Sequence, residues 1–162
     1  MVWARATGSA ARWLATAAQQ ATEKVPASAA AHHGGRVSLL PTVVEGLLLD
    51  VVADGFAIYC CGPEVAPQAL VSCYEWEQCL DLLTIRDFDR ITTARVPARG
   101  RVDIFAPKVV VWAYEGAPQL ALRALLDLVH PAYPDAPTAE YPAPAGLHVP
   151  RAQQRPMTIR LP

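Results

Sequence analysis

Residues 108–115, KVVVWAYE, constrain the fold more than any other stretch. Side chains alternate between the two sides of a β-strand. Val109, Val111 and Ala113 fall on one side, Val110, Trp112 and Tyr114 on the other, and both sets are apolar. Such a strand is expected at the centre of a sheet, covered on both faces. The next stretch offers part of that cover. Gly116 and Pro118 open a helical pattern, APQLALRALLDLV, with proline in the first turn, where its missing N–H costs nothing. Gln119, Arg123 and Asp127 recur every four residues as one narrow polar stripe. The rest is Leu, Ala and Val, so the helix should be buried around most of its circumference.

Upstream lie the strands that this helix would cover. ALVSCYEW (69–76) and CLDLLTI (79–85) read as two of them. RITTARV (90–96) and RVDIFA (101–106) read as a hairpin around PARGR, with Val96 opposite Val102, Ala94 opposite Ile104 and Arg95 opposite Asp103. In EGLLLDVVADGFAIYCCG, Asp54-Gly55 is a two-residue hairpin signal. It would pair Ala53 with Phe56, Val51 with Ile58 and Leu49 with Cys60 on one apolar face. The expected fold class is α+β: one mainly antiparallel sheet of about six or seven strands, covered by the C-terminal helix, with an N-terminal amphipathic helix and a Pro-rich C-terminal tail.

Segment 9–25 carries that N-terminal helix. Ser9 suits the N-cap, Ala10, Trp13, Leu14, Ala17, Ala21 and Val25 form a shallow apolar stripe, and Pro26 ends it. PASAAAHHGG (26–35) reads as a linker in which His32 and His33 are solvated. After His130-Pro131 the chain is rich in proline and should be extended, and MTIRLP (157–162) alternates like an edge strand. The expected organisation is 1–36 helix and linker, 37–130 α+β domain, 131–162 extended tail.

The chain has 162 residues, enough for one independently stable core, and net charge is −1. The scarcity of lysine, only Lys24 and Lys108, and the wealth of alanine and proline suggest a high-GC bacterial genome. No apolar run reaches the ~20 residues of a transmembrane segment, and the N-terminus lacks a secretory h-region. A cytoplasmic protein with four free thiols is therefore expected. A nucleic-acid partner is not expected, because the chain is not basic overall. Charge is unevenly spread: residues 45–89 hold nine acidic side chains against Arg86 alone, and 90–162 are net basic. Acidic and basic strands paired in one sheet would explain this, as would an acidic face for a basic partner.

Few residues suggest chemistry. Vicinal Cys60 and Cys61 point to opposite faces of a strand, which argues against a shared ion. Cys73 and Cys79 would meet only if a hairpin turned at Glu75–Gln78. Asp81, Asp87 and Asp89 could hold a divalent cation, as paired carboxylates do in metal-dependent hydrolases and nucleases. Trp76 and Trp112 could line a small-ligand pocket, although aromatic residues at strand spacing usually pack in the core. No G-x-S-x-G, phosphate-binding glycine loop or HExxH occurs. The leading expectation is a non-enzymatic interaction or regulatory module without a cofactor. Its partner would be another protein or a second copy, contacted through Trp13, Glu75, Glu77, Tyr133 and Tyr141. A metal-dependent hydrolase and a ligand-binding domain are the alternatives.

Overall fold

The alternating segments do assemble one antiparallel sheet, but its helical layer is larger than the periodicity suggests. A computed structural model describes residues 42–63, 68–87, 89–154 and 157–158. In chain order the elements are α1 (Thr42–Ala53), β1 (Ala57–Cys61), β2 (Ala69–Glu75), β3 (Cys79–Ile85), β4 (Ile91–Pro97), β5 (Val109–Val110), β6 (Trp112–Gly116), α2 (Pro118–Leu126), a short 3-10 turn (Ala145–Leu147) preceded by β7 (Tyr141–Pro142), and β8 (Met157–Thr158). The sheet runs β6-β4-β3-β2-β1-β8, and β5 pairs with β7 in a separate two-stranded ladder. Segments 9–25 and 26–35, with Trp13, His32 and His33, lie outside the described residues.

Strands β2, β3 and β4 fall where their patterns place them. β2 and β3 pair Leu70 with Ile85 and Tyr74 with Asp81, and β3 and β4 pair Asp81 with Arg95. Nearly every residue of β3 and β4 is buried. One sheet face carries Leu70, Leu83, Ile85 and Ile91. It packs on Val44, Leu48 and Val51 of α1 and on Ala121, Leu122 and Leu125 of α2. Burying side chains of this size contributes roughly 1.5–3 kcal/mol each. The opposite face carries Cys61, Val71, Cys73, Leu82, Ala94 and Val96. The chain's later segments cover it, with Val110, Leu147 and Val149 fully buried and Val102, Ile104 and Phe105 packed alongside.

Four expectations need correction. Residues 45–53 are helix, not the first arm of a hairpin. Asp54-Gly55 ends α1, with Gly55 at φ 95° in the left-handed region that glycine adopts freely. Residues 101–106 are a loop, so Arg95 does not face Asp103; the Asp103 carboxylate accepts the Phe105 N–H at 3.0 Å and turns the chain. Stretch 108–115 is not one central strand. It breaks at Val111, whose N–H still reaches Arg95 O, and β6 forms the sheet edge. The break splits a single alternation between the two sheet faces: Val110 packs under the tail while Trp112 and Tyr114 pack against the helix-side core. Finally, the segment after residue 130 is part of the packed structure: Val149 N–H donates to Phe105 O at 2.7 Å and Arg86 Nη1 to His148 O at 3.0 Å.

Residues 157–158 fold back as expected of an edge strand, placing Tyr59 opposite Thr158 and Cys60 opposite Met157. Among the described residues no helix is long and apolar enough to cross a membrane.

Candidate functional site

Both helices deliver their C-termini to one end of the sheet. α1 runs into β1, whose first residue, Ala57, lies opposite Cys73 near the end of β2. α2 starts beyond Gly116, opposite Ile91 at the start of β4, and runs back until the Val129 carbonyl meets Arg95 Nη1. The same end holds the tight β2–β3 turn, closed by Trp76 N–H donating to Cys79 O at 2.9 Å. Helix C-termini carry partial negative charge. Here it adds to the exposed carboxylates of Asp54, Glu77 and Asp127.

A buried ion pair anchors this end. Arg95 Nε and Nη2 donate to Asp81 Oδ1 at 2.7 Å and Oδ2 at 2.8 Å, and Trp76 Nε1 donates to Oδ2 at 2.7 Å. Arg95 is 1% exposed and Asp81 4%. Desolvation pulls the guanidinium's pKa down. The hydrogen bonds and charge of Asp81 outweigh it, so the net shift is upward and Arg95 stays charged. Both carboxylate oxygens and the outer guanidinium nitrogens are thus engaged with β3, β4 and the loop after α2. The arrangement fixes geometry; it does not present a free acid or base.

Over this anchor runs a chain of rings. Phe56 and Tyr74 have centroids 5.4 Å apart, Tyr74 and Trp76 4.6 Å, Trp76 and His130 4.6 Å in an edge-to-face contact, and His130 and Tyr133 5.7 Å. His130 Nδ1 accepts the Ala132 N–H at 3.2 Å, which sets the ring's orientation. The ladder begins half-buried at Phe56 and ends in the open at Tyr133, 63% exposed.

The residues singled out from sequence divide accordingly. Trp76 and Tyr133 come together through His130, with Glu77 in the adjoining turn. Glu75 belongs to the opposite alternation of β2, where its charge helps raise the pKa of Tyr59 after burial and Cys73. Tyr141 lies on β7, also on the far side. Trp112 lies opposite Arg95 on β6, so the Arg95–Asp81 pair separates it from Trp76 and the two do not wall one pocket. Asp87 and Asp89 occupy the exposed β3–β4 turn, where the Asp87 carboxylate accepts the Asp89 N–H at 3.3 Å. Asp81 points away into its ion pair, so the three are not gathered into one ligand set. Among the described residues no group of three His, Cys, Asp or Glu could hold a metal ion. Sequence reasoning set Arg95 opposite Asp103 instead of Asp81 and gave His130 no aromatic neighbour. The β3–β4 register was the signal that identifies Arg95.

The cysteines occupy buried strand positions. Cys61 packs with Val71 and Val149 while Cys60 pairs with Leu70, on opposite faces. Cys73, opposite Leu82, and Cys79, opposite Pro97, also face opposite sides of the sheet. All four are free thiols. Burial raises Cys60 and Cys79 to about 11 and Cys73 to about 12, and raises Cys61 as well. They remain protonated near neutrality and are poor nucleophiles.

Comparison of the chain with protein-family models, curated proteins and solved structures returned no match.

Proposed function

We propose that this chain is a non-enzymatic protein–protein interaction module that docks its partner at the end of the sheet where the aromatic ladder opens. The observation that carries this reading is the ladder itself: five rings in sequence, backed by a buried ion pair and terminating in an exposed Tyr133. Large aromatic side chains held by a rigid base are the residue class that dominates binding energy at protein interfaces. Exposed Asp54, Glu77 and Asp127 at this end offer contacts to basic groups of a partner, beside the exposed Arg99 and Arg101 that follow β4. Free, unreactive thiols suit the cytoplasm of a bacterium, which is where the reading places the chain.

The test compares the wild type with a Glu77→Lys/Tyr133→Ala variant as affinity baits, with quantitative mass spectrometry of what each retains. Both residues are exposed, so the melting temperature should stay within about 2 °C of wild type. A partner retained by the wild type and reduced at least ~10-fold on the variant supports the proposal. Equal retention by both baits, or no retention together with a monomeric mass in light scattering, overturns it.

A further inference from the structure

Helix α1, TVVEGLLLDVVA, carries only Glu45 and Asp50 as charged residues. A helix so apolar all round is normally covered on every side. Yet only one side is covered among the described residues, where Val44, Leu48 and Val51 pack on α2 and the sheet. The outward arc holds Val43, Gly46, Leu49, Asp50 and Ala53, spaced so that they form a single stripe. Val43 and Leu49 are each 47% exposed, and a Cβ added at Gly46 would meet nothing within 4 Å. The stripe is therefore a shallow trough with Val43 and Leu49 on either side of Gly46 and the exposed Asp50 carboxylate on its Val43 flank.

The occupant follows from where the rest of the chain joins. Residues 1–41 enter at the start of α1, beside Val43. They include 9–25, whose pattern gives an apolar stripe of Ala10, Trp13, Leu14, Ala17, Ala21 and Val25. Residues 26–41 reach at most ~55 Å when extended, and α1 is only ~18 Å long, so every part of the trough is within range. Both sheet faces already have cover, from the two helices and from Val110, Leu147 and Val149. Val43 and Leu49 are thus the exposed aliphatic side chains on the helix that the segment joins, with Leu120 exposed on neighbouring α2. Small side chains on both sides let two helix axes approach closely. That suits an alanine stripe against Gly46 and Ala53, with Trp13 and Leu14 as the large contacts. We propose that residues 9–25 dock as a helix on the Val43–Gly46–Leu49–Ala53 face of α1 of the same molecule, completing a three-helix layer. This inference does not depend on the function proposed above.

Hydrogen exchange of the full-length chain, read by mass spectrometry at a concentration where light scattering gives the monomer mass, tests it. Amides of 9–25 should exchange at least ~10-fold more slowly than unstructured peptide. In Leu49→Glu, and separately in Trp13→Ala, that protection should vanish while β2, β3 and β4 keep theirs, which shows that the variants fold. Free exchange of 9–25 in the wild type overturns the proposal. So does protection that survives Leu49→Glu, because the segment would then dock elsewhere, and so does protection that appears only where a dimer forms, because the occupant would then be a second copy.

Discussion

Arg95 and Asp81 depend on each other because each is a charge held out of water. Removing one strands the other, at a typical cost of 3–5 kcal/mol. We expect Arg95→Ala and Asp81→Ala each to lose about that much stability in urea denaturation. Asp81→Leu/Arg95→Met should recover about half of it, leaving a deficit of about 1–3 kcal/mol for the Trp76 N–H without an acceptor. The buried thiols give a second expectation. An unfolded thiol titrates near ~8.5, whereas Cys73 in the fold titrates at about 12. As pH rises the unfolded chain releases its protons first. The contribution is complete below ~8.5 and declines as pH climbs toward the folded value. The urea midpoint should fall between about pH 8.5 and 10.5, and Cys73→Val should flatten that slope. Little of this was legible in the sequence. Arg95 was placed on a strand correctly, but its partner depended on which strand lies beside it, and alternation within 101–106 mimicked one.

Elements declared themselves when their pattern had no rival. β2, β3 and β4 combine length, β-branched residues and polar turns, and α2 has a proline start with polar residues every fourth position. α1 failed because five of its residues from Leu47 to Val52 are Leu or Val, which suits helix and strand equally over so short a run. Its Asp-Gly ending serves a hairpin and a helix terminus alike. The rings of the candidate site were visible as residues, but their order depended on how far α2 carries His130 back toward the β2–β3 turn. Close packing of the 3-10 turn makes a specific test. A Cβ at Gly146 would overlap the Thr92 hydroxyl and meet Glu115 Oε2 at 2.5 Å. Gly146→Ala should therefore lift the segment, cost about 1–3 kcal/mol, and speed proteolysis between residues 140 and 150.

At the scale of the whole fold, the described residues form a sheet between two unlike covers, a pair of helices on one side and an irregular proline-rich segment on the other. Loss of either cover should be felt globally. Leu122 is fully buried on the sheet-facing side of α2, and Leu122→Asp should abolish the cooperative thermal transition. Leu147→Ala on the opposite side should cost about 2–5 kcal/mol. KVVVWAYE suggested cover on both faces for the wrong reason, since it breaks at Val111 and ends at the sheet edge; that proline-rich sequence covers the second face was not readable, because composition alone suggests an extended, unattached tail. The order of the chain adds a consequence for biosynthesis. Every strand of the central ladder except β8 leaves the ribosome before Leu147 and Val149 do. A nascent chain therefore carries an exposed greasy surface until residues 147–149 have emerged, which is the interval when a holding chaperone would matter most.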